Sequence, residues 1–430
     1  MEISLLKMGL INQVPTKMEK ITMKKLFNLK VYLISLCFLL LIFSLSFAQK
    51  IETIDGVRVV HNGKSDKWGK NPKLSLEFVK TIGELETEDE NLAFHMPSDI
   101  IIDSKGDIYI LDSGNHRIQK FDSDGKYITT IGNKGQGPGE FYYPLSIDID
   151  PKGYLYVSDP YNQRAQILTP DGKEHKTILF HKTPSGVIKL SKSGNMIMGS
   201  GGGVLSFGLG GMGENQVQPG LIKVAGPEGE ILKDFGQPYD YKNVPLNRMG
   251  NQFHFTIDNN DNIFVSFDFQ NRVEKYSSDG KLLWKSDRKL DYDTDPAKAK
   301  PGKERRSGGS ISIESPQINR CSNGIAVDEK GRVWVITLKR QIKEEESVQT
   351  SVRAMRTAGG DRSLNFSYSG NTDVTETDMY QLEVYAPDGI LLGKLPLNQF
   401  VDDIRIEKDR LFLLDKMRGA QYYEYKITEK

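Results

Sequence analysis

From Ile100 to the C-terminus, short apolar runs alternate with Asp/Gly turns in a rhythm too tight for helices. Ile100–Ile102 is followed by a turn, then Ile108–Leu111, a second turn, Arg117–Phe121, an Asp-Gly turn, and Tyr127–Ile131. Runs of this length, bounded by Asp-Gly and Lys-Gly pairs that supply positive φ, predict antiparallel strands joined as hairpins. The pattern then repeats. Asp103–Asp112 (DSKGDIYILD) returns 47 residues on as Asp150–Asp159 (DPKGYLYVSD). Met96–Ile100 (MPSDI) matches Tyr143–Ile147 (YPLSI), and Asn115–Gly125 (NHRIQKFDSDG) matches Asn162–Gly172 (NQRAQILTPDG). A period of this size made of strands predicts a propeller rather than a helical array.

Aligning on the first turn of each repeat gives copies at Gly106, Gly153, Gly194, Asp261, Gly331 and Asp409. The turn between third and fourth strands recurs at Gly125, Gly172, Gly229, Gly280 and Gly389, but the chain ends before a fourth strand of the last copy. The segment Leu74–Gly83 (LSLEFVKTIG) reads as the missing outer strand, and pairing it there removes an open sheet edge. The prediction is an all-β, six-bladed β-propeller of four-stranded antiparallel blades over residues 74–430, closed by this N-terminal strand, with 49–73 as a lead-in.

The first two copies, sharpest over Pro97–Gly172, resemble NHL repeats, which form six-bladed propellers; the likeness is fair over Asn251–Gly280 and weak in the third, fifth and sixth copies. The resemblance implies an interaction platform. Related six-bladed propellers include lyases and lactonases with a metal in the central channel, so the resemblance also implies an alternative, a metal-dependent enzyme.

Composition narrows the partners. With 57 basic and 57 acidic residues the formal charge is +0, which offers no global field to recruit nucleic acid. Near the N-terminus, Lys24, Lys25 and Lys30 precede the apolar run Val31–Phe47, and Ser46–Ala48 supplies a small-residue cleavage site. This is the plan of a secretory signal over 23–48, cleaved after Ala48, with residues 1–22 as a mispredicted extension. An uncleaved anchor is the rival reading. Export to the periplasm or cell envelope, possession of no membrane span after cleavage, and a single mature cysteine, Cys321, form one consistent expectation.

Two sets of polar residues compete for a functional role. The Asp…Asn-x-Arg pattern (Asp112, Asn115, Arg117; Asp159, Asn162, Arg164; and, with altered spacing, Asp268, Asn271, Arg272) recurs blade after blade. A group that serves chemistry is needed once, whereas one that braces a blade is needed every time. The pattern is therefore structural, as are Tyr109, Tyr156, Phe264 and Trp334 on second strands. Seven residues before each anchor stand Asp99, Ser146, Val187, His254, Gly324 and Asp402, with Asp403 adjacent. This uneven ring marks the mouth of the central channel, with Asp99, Ser146, His254, Asp402 and Asp403 as candidate binding residues. Carboxylates and an imidazole there suit a divalent cation, calcium or zinc, held by Asp99, His254 and Asp402. No Gly-x-Ser-x-Gly elbow, phosphate loop or Cys-x-x-Cys accompanies them. Long insertions at 201–220, 286–320 and 340–378 all fall in second-to-third-strand loops or blade links, hence on one face, the top. Long loops gathered on one face of a rigid scaffold predict a binding surface for a protein, peptide or glycan.

Overall fold

The computed structural model describes residues 49–430 apart from 85–86, 181–185, 200–219, 308–309, 315 and 357–361. The extension expected at 1–22, the signal peptide expected at 23–48, and all but Gly220 of the insertion expected at 201–220 therefore lie outside the described residues. Six four-stranded antiparallel blades make up the body, at 97–131, 146–179, 187–235, 253–288, 322–396 and, for blade 6, 403–429. Their first strands neighbour one another in ring order, blade 6 returning to blade 1.

Each junction between blades holds its own apolar cluster, because a strand with side chains on both faces must bury both. Tyr109 and Leu111 of blade 1 pack with Ile147 and Val157 of blade 2, and Tyr156 packs at the junction of blades 2 and 3. Phe264 meets Ile325 and Val335 across blades 4 and 5. Trp334 packs with Ile404 and Leu413 across blades 5 and 6. The second-strand aromatics are inter-blade packing residues.

The N-terminal segment wraps three blades from outside. A hairpin of Lys50–Ile54 and Val57–Asn62 adds to blade 4, where Val57–Asn62 runs parallel to Leu282–Arg288. The chain then crosses blade 5, where the Trp68 backbone N–H donates to Leu392 O at 2.8 Å. It finishes as Leu74–Ile82, antiparallel to Gln421–Glu429 of blade 6. The stretch 49–73 is thus a strap with its own strands.

Two insertions form ribbons separate from the blades. Lys303–Ser307 pairs with Ser310–Glu314 in the link between blades 4 and 5. Val348–Arg356 pairs with Arg362–Gly370 between the second and third strands of blade 5.

Candidate functional site at the channel mouth

The inner strand of each blade is a sheet edge, so part of its backbone N–H row has no ladder partner. Side chains from the preceding blade supply acceptors. The Ile147 N–H donates to Asp99 Oδ2 at 3.1 Å, and Ile188 N–H to Ser146 Oγ at 2.8 Å. Leu190 N–H donates to Asp148 Oδ2 at 2.7 Å. Much of the polarity predicted at the mouth therefore ties neighbouring blades together.

Charges bridge the channel below this row. Lys189 Nζ of blade 3 lies 3.1 Å from Asp99 Oδ2 of blade 1. Arg405 Nη2 of blade 6 lies 3.3 Å from Asp148 Oδ1 of blade 2. Each pair spans a blade lying between its partners, so together they act as spokes. Burial works against the charged Arg405, but Asp148 and Asp99 outweigh it and raise its pKa. The sequence reading missed both cations. The signal was present, since Lys189 and Arg405 stand two residues beyond Val187 and Asp403, on the same side of their strands.

The cavity above is lined by Asp99, Ser146, Lys189, His254, Asp403 and Arg405 among others, and encloses about 610 Å³ including space open to solvent. His254 dominates its blade 4 side. Its Nδ1 is 3.6 Å from Asp403 Oδ1 and its Nε2 is 3.5 Å from Asp268 Oδ1. Burial pulls the imidazole pKa down, yet the carboxylates of Asp268 and Asp403 prevail and raise it. Asp403 responds in kind. Burial works to raise its carboxyl, and the contact with His254 holds it below the usual range.

Three expectations change here. Asp402 does not line the cavity; its Oδ2 accepts from Lys416 N–H at 2.8 Å, and Asp403 takes the ring position. The cause is local. The first turn of blade 6 is a two-residue hairpin closed by Glu407 and Arg410, whereas blade 1 loops between Ile102 and Ile108, so counting back from the turn lands a residue early. Second, Asp99, His254 and Asp402 do not form a ligand set. Among the described residues no group of three or more His, Cys, Asp or Glu side chains is placed to hold a metal ion; Asp99 is engaged by Lys189 and the Ile147 N–H, and Asp402 by the Lys416 N–H.

Third, Asp268 does not brace its blade. Asp112 accepts from Asn115 Nδ2 at 2.8 Å and Arg117 Nε at 2.8 Å, and Asp159 likewise from Asn162 and Arg164. In blade 4 the altered spacing sends Arg272 to Glu274 and onto the Phe267 ring instead. Asp268, fully buried, turns to His254 and to Arg320 Nη2 at 3.3 Å. His254 Nε2, Asp268 Oδ1, Arg320 Nε and Asn323 Oδ1 are buried without hydrogen-bond partners. His254 Nε2 and Asp268 Oδ1 face each other at 3.5 Å as an ion pair, whereas a buried polar atom left with no partner costs roughly 1–3 kcal/mol. Of these four groups His254 lines the cavity, where ordered water or a polar ligand would relieve it.

Comparison with known proteins gives the fold its context. The family DUF5128, described as a 6-bladed beta-propeller, matches residues 48–169. No curated protein matches the sequence. A solved structure of a DUF4221 family member from Bacteroides vulgatus is similar at TM-score 0.52 and 10% identity, covering 83% of this chain and 99% of that one. A Bacteroides fragilis protein described as exported gives TM-score 0.49 at 10% identity, covering 86% and 99%. Virginiamycin B lyase from Staphylococcus aureus gives 0.42 at 10%, covering 82% and 99%. At such identities the likeness is one of fold alone. Among the described residues no helix is long and apolar enough to cross a membrane.

Proposed function

We infer that the chain is an exported, NHL-type binding module that engages a protein, peptide or glycan through its top face. The observation that carries this reading is the root of the 348–370 ribbon, which is built rather than merely tolerated. Arg340 grips Glu346 with two bonds, Nη1 to Oε2 at 2.7 Å and Nη2 to Oε1 at 2.6 Å, and its Nε donates to Asp378 Oδ1 at 2.7 Å. Such a fork on a carboxylate fixes orientation as well as contact. Glu346 is only 5% exposed, and Arg340 beside it holds its carboxyl down at about 2. Arg418 of blade 6 donates to Glu346 O and lies 3.4 Å over the Phe400 ring, tying the root to a second blade. An insertion without a role has no need of this framework. The apolar run Val31–Phe47 supports export, and the repeated Asp–Asn–Arg brace supports the NHL likeness. The module is favoured over a metal enzyme because the mouth carboxylates already have partners.

The test replaces Val348–Gly370, whose ends are paired neighbours, by a two-glycine turn in the Gln49–Lys430 protein. Immobilised parent and trimmed proteins are then compared on cell-envelope extract. The expected result is a component retained by the parent and lost on trimming, with unchanged circular dichroism. Identical retention by the two proteins refutes the reading.

A further inference from the structure

Blades 1 and 2 are the best-matched copies, so positions where they differ are the informative ones. At the top of their junction, His95, Met96 and Gly114 of the first copy correspond to Tyr142, Tyr143 and Tyr161 of the second, and His116 of the first corresponds to Gln163. The fold brings His116, Tyr142, Tyr143 and Tyr161 together. His116 stacks on Tyr142 with centroids 5.5 Å apart and planes 12° from parallel, and meets Tyr143 edge-on at 4.4 Å. Tyr161 closes the group against Tyr142 at 5.9 Å and Tyr143 at 6.0 Å. The three tyrosines are each partly exposed. The group adjoins the channel mouth through Tyr143, Pro144, Leu145 and Ser146, the last two of which line the cavity.

We propose that this aromatic platform on the top of blades 1 and 2 binds a neutral saccharide. The inference rests on the top-face reading and names its ligand class. A pyranose offers a patch of C–H bonds on one face and a rim of hydroxyls. Its complement is a ring face with uncharged donors at the edge, a combination Tyr provides and Phe or Leu does not. His116, Tyr143 and Tyr161 are uncharged at neutral pH. Burial, with Lys134 and His95 adding to it, lowers His116 to about 4, and burial raises Tyr143 and Tyr161 above the ordinary phenol value. His116 Nδ1 accepts from the Tyr143 N–H at 3.0 Å, so its proton sits on Nε2 as a further donor. The nearby cation, Lys134, lies 5.6 Å over the Tyr142 ring, covering one aromatic face with its own charge, which leaves less for a cationic ligand.

The experiment screens the Gln49–Lys430 protein on an array of neutral and acidic glycans, then titrates the best neutral hexasaccharide by calorimetry. Parent protein is expected to bind a neutral glycan. Tyr142→Ala should weaken it about tenfold, the scale of one aromatic contact, while Tyr161→Phe, which keeps the ring and removes the hydroxyl, should weaken it about threefold. Melting temperatures report that both variants fold. If Tyr142→Ala fails to fold, Tyr161→Phe and His116→Gln, the second copy's own residue, carry the decision. Absence of neutral-glycan binding, or binding that none of the folded variants changes, overturns the platform. A glycan lost on trimming 348–370 but indifferent to Tyr142→Ala overturns the platform and leaves the top-face reading standing. The reverse pattern supports the platform and refutes the ribbon as the binding element.

Discussion

Replacing Asp99 by alanine tests the claim that the channel polarity is architectural. The carboxylate accepts the Ile147 N–H of the next blade and pairs with Lys189 across the channel. Its removal orphans a buried N–H, at about 1–3 kcal/mol. It also strands an ammonium whose side chain is 13% exposed, and breaking a fully buried pair costs about 3–5 kcal/mol. Lys189 keeps some water, so the lower ends apply and the sum is about 4 kcal/mol. For roughly 380 residues, Gln49–Lys430, the unfolding entropy is about 0.8 kcal/mol per kelvin, so the melting temperature should fall by about 5 °C. Scanning calorimetry on Asp99→Ala, Lys189→Met and the double variant reads both the loss and its origin. The double variant should be less destabilised than the sum of the singles by about 2 kcal/mol, since removing both charges leaves neither stranded. A shift under 1 °C for Asp99→Ala, or strict additivity, would show that the pair does not hold the ring and would return Asp99 to the pool of ligand-binding groups.

Other consequences follow from single sites. His116, 7% exposed, has a folded pKa near 4 against about 6.5 unfolded, so the unfolded chain takes up the proton first and stability falls as pH drops from 6.5 towards 4. The loss approaches 3 kcal/mol by pH 4, and His116→Gln should flatten that limb of the urea midpoint against pH. A Cβ on Gly393 would lie 1.8 Å from the Trp68 ring, so Gly393→Ala should lift the strap off blade 5 and speed tryptic cleavage at Lys64, Lys67 and Lys70; an unchanged digestion rate counts against the strap contact. Cys321 is fully buried and its thiol is pushed up to about 11, chiefly by that burial. It should react with a thiol reagent at neutral pH only as fast as the protein unfolds.

The blades were legible because a propeller writes its architecture locally. Gly106 and Gly153, with φ of 94° and 88°, sit in turns that need a left-handed residue, and the repeat places both. The repetition also marked Asp112 and Asp159 as braces, and it marked Asp268 with them wrongly. One residue fewer between Asn271 and Arg272 frees that carboxylate, and spacing alone does not say where it turns. Of the N-terminal segment 49–82 only the strand Leu74–Ile82 was legible. Val57–Asn62 pairs parallel with Leu282–Arg288, more than two hundred positions away, and no local pattern specifies such a partner.

The sequence by itself determined the strands, their turns and the number of blades, since these depend on alternation and turn chemistry within a few residues. The tertiary structure decided which side chains meet across the ring. Whether Asp402 or Asp403 reaches the mouth turns on one residue of hairpin length. Whether Asp99 binds a ligand or a neighbouring blade turns on Lys189, ninety residues away. The four rings of the platform come from separate turns and links in two copies. Closure of the ring brings them together, and closure is a property of all six blades at once.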